Sequence, residues 1–252
     1  MNLSHKRKYF LITSFLFSMT VLAEPSPDYY RENNINEQIT SFVFDSDIIE
    51  LTSQLENQFN LVSHVNSSDI SILLLHGRGL HPTEPDVINP LRIDLLEKDY
   101  NVYSLQLPVL AKGKTYNDYF EIFRYSDARI QSSIDYMQSK KIFIIAHSCG
   151  SHMLLSFIKN NSSENIHGIV FLGAGAVDKN QFMLDDISFS NYEGLLLNIY
   201  GEDDHASVKS FADRLKSIYP TVESLEIKGA DHNYINESDI LIESVNQWLK
   251  SS

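Results

Sequence analysis

The stretch from Ile142 to His152 reads Ile-Phe-Ile-Ile-Ala-His-Ser-Cys-Gly-Ser-His, and it limits the possible folds more than any other part of the chain. Ile142 to Ile145 form an apolar run of the length expected for a strand buried on both faces of a parallel sheet. Met153, Leu154, Phe157 and Ile158 then recur at helical spacing. A strand must therefore turn sharply into a helix at Ser148. Ala146 and Gly150 stand two residues to either side, giving a G-x-S-x-G pattern with Ala in its first place. Small residues are required there because strand and helix nearly touch, and the turn itself demands strained dihedrals at the serine. Such a turn exposes a hydroxyl at a helix N-terminus, where backbone N–H groups face developing negative charge.

The first residues have a different character. Lys6, Arg7 and Lys8 precede a mostly apolar run, Tyr9 to Ala23, and Val21-Leu22-Ala23 offers small residues where a signal peptidase cuts. That run is about 15 residues, short of the roughly 20 that span a bilayer. Residues 1–23 are expected to be a signal peptide, with the mature chain of 229 residues beginning near Glu24 and exported to the periplasm or medium. Cleavage removes three basic and no acidic residues, taking the formal charge from −13 to −16. So acidic a body disfavours nucleic acid and anionic membrane surfaces as partners and leaves neutral esters open. After cleavage no stable membrane insertion is expected. Cys149 is the single cysteine, so no disulfide framework exists. The length suits one domain.

Glu24 to Glu37 reads as a loose polar arm. Ser41–Phe44, Ile48–Thr52 and Phe59–Val65 alternate as short antiparallel strands do, so residues 24–69 are expected to pack on a main domain spanning 70–252. From Ile70 the pattern changes to strands alternating with helical stretches, which predicts a mostly parallel sheet with helices on both faces. Strands are expected at Ser71–Leu75, Asn101–Leu107, Ile142–Ala146, Gly168–Leu172, Leu195–Tyr200 and Val222–Ile227. Helices are expected at Asp86–Leu96 and Tyr119–Met137, after Ser148, around Val208–Leu215, and at a closing helix capped by Asn236 or Ser238. Polar and glycine-rich strings follow the strands and so gather at the carboxyl edge of the sheet, where open α/β folds bind ligands.

A serine hydroxyl becomes a nucleophile only when a neighbouring base takes its proton and a carboxylate holds that base in one tautomer. Ser148, Asp204 and His232 supply these groups in the order Ser, acid, His, each after a strand. Glu202, Asp203 and Asp231 compete for the acid's place. His76, His81, His147 and His152 compete with His232, although His147 and His152 share the strand–helix unit of the serine itself. No pair among these four has the i, i+4 spacing of a helical zinc site, and neither a metal nor a cofactor is expected. Cys149 reads as a small side chain at a crowded turn rather than a nucleophile.

From about Ile70 onward the chain resembles the α/β-hydrolases, in particular a group of exported bacterial members of unassigned substrate. The residues that carry the resemblance are Leu75-His76-Gly77-Arg78-Gly79, Leu107-Pro108, Ala146-His147-Ser148-Cys149-Gly150, Gly201-Glu202-Asp203-Asp204 and Gly229-Ala230-Asp231-His232. The resemblance implies an α/β-hydrolase fold and an oxyanion hole made by the backbone N–H groups of Cys149 and Arg78, with Gly79 as second choice for the latter. Gly77, Gly79 and His147 are then candidate substrate-contacting positions. The Arg78 side chain is expected either to meet an anionic substrate group or to lie in solvent. About 18 residues separate Gly175 from Gly194, too few for a large cap domain. Tyr116, Tyr119 and Phe120 are expected in the core or lining an acyl site.

The expected activity is that of an exported serine hydrolase acting on a small-molecule carboxylic ester or thioester through an acyl-serine. Two other readings use the same residues: an acyltransferase with the same triad, and a hydrolase-fold binding protein without turnover.

Overall fold

A computed structural model describes residues 24–183, 189 and 191–252. The expected signal segment, residues 1–23, lies outside the described residues. The elements are α1 (Tyr29–Thr40), β1 (Asp47–Thr52), β2 (Gln58–His64), β3 (Ile70–Leu75), α2 (Ile88–Glu97), β4 (Asn101–Leu105), α3 (Tyr116–Phe120), α4 (Phe123–Met137), β5 (Lys141–His147), α5 (Cys149–Asn160), β6 (Ile166–Leu172), β7 (Leu195–Gly201), α6 (Ala206–Ile218), β8 (Glu223–Ile227) and α7 (Ser238–Ser251).

Among the described residues one eight-stranded sheet runs in the order β1-β2-β4-β3-β5-β6-β7-β8. β1 and β2 pair antiparallel with each other, and β2 pairs antiparallel with β4. Every pairing from β4 to β8 is parallel. The central strands are apolar throughout because both faces are covered, and alternate residues serve opposite cores. Leu73, Leu75, Ile144 and Phe171 pack with α4, α5 and α6 on one face. Ile72, Leu74, Phe143 and Ile145 pack with α2 and α7 on the other. No cap domain is inserted among the described residues.

Four expectations need correction. The polar arm is a helix for most of its length, α1, capped where the Asp28 carboxylate accepts the Arg31 N–H at 3.0 Å. Its sequence lacks an apolar stripe because polar contacts to distant residues hold it. Glu32, 2% exposed, pairs with Arg129, which is fully buried on α4, at 2.8 Å. Arg129 also donates to the Gln106 carbonyl and the Asn57 side chain, both at 3.1 Å. Ser41–Phe44 is not a strand but the turn that ends α1, and its alternating Phe42 and Phe44 face solvent. The helix expected over Tyr119–Met137 is two, α3 and α4. Asp118 Oδ2 accepts the Thr115 N–H at 2.8 Å and starts a first short helix, which ends before Phe123. The residue before α7 is Glu237, with no side-chain cap, rather than Asn236 or Ser238.

The Glu32–Arg129 pair gives a test of this anchoring. Removing one partner of a buried ion pair leaves the other charge without compensation, which costs about 3–5 kcal/mol. Arg129→Met should lower the unfolding free energy by about that much in urea titrations, and a loss below about 1 kcal/mol would contradict the role given to the pair.

Candidate active site

Ser148 lies between β5 and α5 with φ 53° and ψ −121°, a conformation seldom adopted by a side-chain-bearing residue. Packing holds it there. A Cβ on Gly150 would stand 2.5 Å from the His76 carbonyl oxygen and 2.8 Å from that of Leu75, so only glycine lets α5 approach β3 this closely. The Ser148 N–H donates to the Leu172 carbonyl at 2.9 Å, fixing the turn to β6.

The loops after β7 and β8 meet in the same manner. A Cβ on Gly201 would lie 2.1 Å from the Ala230 carbonyl oxygen. The Glu202 N–H bonds the Ile227 carbonyl and the Asp203 N–H the Ala230 carbonyl, both at 2.9 Å. These contacts bring Asp204 beside His232. His232 Nδ1 lies 2.8 Å from Asp204 Oδ1, and His232 Nε2 lies 2.9 Å from Ser148 Oγ. With Nδ1–H donating to the carboxylate, Nε2 is left as the acceptor for the serine proton. The Asp204 side chain is wholly buried, and its Oδ1 also accepts the His205 N–H at 2.6 Å.

The competing acids lie elsewhere. Asp203 is exposed, and Asp231 Oδ1 accepts the N–H groups of Asn233 and Ile235, closing its own turn.

Three other histidines, His76, His147 and His152, are buried and held in single tautomers by their partners. His147 Nε2–H donates to the His232 carbonyl at 3.1 Å, and the two rings lie 5.3 Å apart. His152 Nε2 accepts the Gly175 N–H at 3.1 Å, so its Nδ1–H faces the Tyr116 hydroxyl at 3.0 Å. His76 Nε2 accepts the Leu107 N–H at 3.0 Å, and its Nδ1–H donates to the Gly77 carbonyl at 2.8 Å. Burial pushes His147 down to about 4 and His76 and His152 down to about 3, so all three are neutral at physiological pH.

Gly77, Arg78, Tyr116, His147, Ser148, Cys149, Lys179, His205 and His232 are among the residues lining a cavity of about 570 Å³ at the carboxyl edge of the sheet. A larger cavity, about 720 Å³, opens at the amino edge among Lys140, Glu164, His167 and Glu193, remote from the serine. The Arg78 side chain is open to solvent, as one of the two expectations had it, but its charge is already paired. It grips Asp178 through both carboxylate oxygens, and Asp178 Oδ2 also accepts the Tyr116 N–H at 2.7 Å. Tyr119 is buried in the core, and Phe120, 40% exposed, lines an adjoining groove with Phe182.

Asp204, His205 and His232 offer ligand atoms within 4.8 Å of one another. The His232 nitrogens and Asp204 Oδ1 already bond one another and Ser148, so a cation would have to displace those contacts. His205 and Asp178 went unremarked in the sequence. His205 directly follows Asp204, whereas Asp178 lines the cavity and meets Arg78, 100 residues away in sequence, which no local pattern records.

No family model matches the sequence, and no curated protein does. Solved structures do match. An esterase from Pyrococcus furiosus superposes with a TM-score of 0.65 at 18% identity, covering 85% of this chain and 93% of that one. A serine hydrolase without a lid from Xanthomonas campestris gives 0.60 at 11% identity, covering 83% and 96%. A thermophilic esterase from Thermogutta terrifontis gives 0.62 at 12% identity, covering 82% and 99%. Likeness at such low identity speaks for architecture, and the architecture it identifies is that of the α/β-hydrolases: this chain has the α/β-hydrolase fold.

Proposed function

We propose that the chain is a serine hydrolase that cleaves a carboxylic ester or thioester by way of an acyl-serine at Ser148. The observation that carries the reading is the line Ser148 Oγ–His232–Asp204, with contacts of 2.9 and 2.8 Å at the two ends of one imidazole. Esterases and a serine hydrolase among the structures of like fold support it.

In this mechanism the Ser148 proton passes to His232 Nε2 as Oγ bonds the substrate carbonyl carbon, and the carbonyl π pair moves onto its oxygen. The N–H groups of Cys149 and Arg78 stabilise that oxyanion. Cys149 is the first residue of α5, so its N–H has no partner within the helix. Collapse of the intermediate breaks the bond to the alkoxide or thiolate, which takes the proton from His232. Water then repeats the sequence, releasing the acid and restoring Ser148. Asp204 keeps Nδ1 protonated and stabilises the imidazolium.

Three substitutions test the assignment on one activated short-chain ester. Loss of the orienting carboxylate lowers turnover by about 10⁴ in a serine protease, so Asp204→Asn should reduce acylation by several orders of magnitude with an unchanged circular dichroism spectrum. Asp203→Asn and Asp231→Asn should each cost about tenfold or less. Equal rates for all three would refute the triad.

The neighbouring thiol is a distinct question. Burial pushes Cys149 up to about 12, leaving a thiolate fraction of about 10⁻⁴ at pH 8. An aromatic disulfide reagent should therefore leave the native chain unmodified and titrate one thiol after denaturation. Rapid stoichiometric reaction of native protein would show Cys149 to be activated.

A further inference from the structure

The helix α1 precedes the part of the chain that resembles the hydrolases, yet its Arg31 side chain reaches the loop after β3. Arg31 Nη2 donates to the Gly79 carbonyl at 2.8 Å, and Nη1 donates to the Leu110 carbonyl. The helix itself is fixed independently of this residue. The Asp28 N–H bonds the Val109 carbonyl at 2.8 Å, Glu32 Oε1 accepts the Val109 N–H at 2.9 Å, and Glu32 pairs with Arg129. Tyr119, whose hydroxyl accepts the Leu110 N–H at 2.9 Å, closes the group from below. One guanidinium thus joins two loops, each through a separate nitrogen of its planar fork.

The loop it holds is a tight turn. The Leu80 N–H donates to the Gly77 carbonyl at 3.3 Å, and Gly79 has φ +68°, which favours glycine. A Cβ on Gly79 would stand 3.3 Å from both Arg31 Nη2 and the Tyr119 hydroxyl. The Gly77 carbonyl and the Arg78 N–H belong to one planar trans peptide and point in opposite directions. His76 and Leu80 hold the carbonyl, and so set where the N–H is aimed. Arg31 holds the next carbonyl but one, at Gly79, by a charge-assisted bond that resists rotation of the turn.

We infer that Arg31 is a positioning residue for oxyanion stabilisation, acting through the Gly77–Leu80 turn, so that α1 completes the catalytic site from outside the hydrolase core. The inference rests on Ser148 being the nucleophile and Arg78 N–H an oxyanion donor. A donor of this kind must be held to within about 0.5 Å of its productive place. Deleting such a donor outright costs about 10²–10³ in turnover. Loosening the turn that carries it should cost less, about tenfold.

The experiment uses the full chain with Arg31→Met and Arg31→Lys, and Arg124→Met as a control at an exposed arginine that pairs with Glu24. Turnover and KM on a short activated ester are measured beside thermal midpoint, affinity for the carboxylate product, and affinity for an alkyl boronic acid. The boronic acid reads the oxyanion hole, because Ser148 Oγ adds to boron and makes a tetrahedral adduct with a hydroxyl in the oxyanion's place. Arg31→Met should lose about tenfold in turnover and in boronate affinity, with KM and product affinity within about twofold. Arg31→Lys should recover part of the loss, and Arg124→Met should match the parent. Turnover and boronate affinity both unchanged in Arg31→Met would overturn the inference. So would a rise in KM with parallel falls in product affinity and thermal midpoint, since that marks support of the fold. A parent chain inert to both ester and boronate would sink the hydrolase reading itself, and the inference with it.

Discussion

The contact on which the site depends is the approach of α5 to the end of β3, where the His76 and Leu75 carbonyl oxygens occupy the place a side chain at position 150 would need. That approach holds Ser148 in its strained turn and puts its hydroxyl at the carboxyl edge of the sheet. It also brings the loop after β3 against the N-terminus of α5, so Gly77 lies beside Ser148. Two more crossings finish the arrangement. Gly201 lets the loop after β7 rest on the Ala230 carbonyl, and the His147 ring supports the backbone of His232. Each rests on a backbone carbonyl, so the geometry follows from how closely the strands and loops pack.

Electrostatics then separates the histidines by role. His76, His147 and His152 are buried and held neutral, each with at least one ring nitrogen on a backbone group, and together they stiffen the loops around the cavity. His232 alone joins a buried carboxylate to the exposed face of the serine. Arg78 lines the cavity, while its charge is engaged by Asp178, which also holds the start of α3. This clasp joins three loops at the mouth of the cavity.

Much of this was legible in the sequence, for definite reasons. Strands buried on both faces appear as unbroken apolar runs such as Ile142–Ile145, and a parallel sheet then fixes which loops share an edge. The sequence left Glu202, Asp203 and Asp231 as rivals to Asp204 for the acid, and the fold is what sets the Asp204 carboxylate against the His232 ring. α1 was not legible as a helix, because Arg31 and Glu32 find their partners at Gly79, Leu110 and Arg129, and no local periodicity records contacts so distant. The Arg78–Asp178 clasp was hidden likewise, since a charged pair 100 residues apart leaves no pattern. Phe42 and Phe44 misled in the opposite direction, alternating like a strand while facing solvent.

The proposed chemistry requires a Ser148 hydroxyl activated by His232. A fluorophosphonate with a reporter group phosphorylates such a serine, the Oγ bonding phosphorus as fluoride leaves. Intact-mass spectrometry after brief exposure should find one adduct per chain, and peptide mapping should place it on Ser148, with no labelling of Ser148→Ala. An unlabelled parent chain, or an adduct that persists in Ser148→Ala, would contradict it.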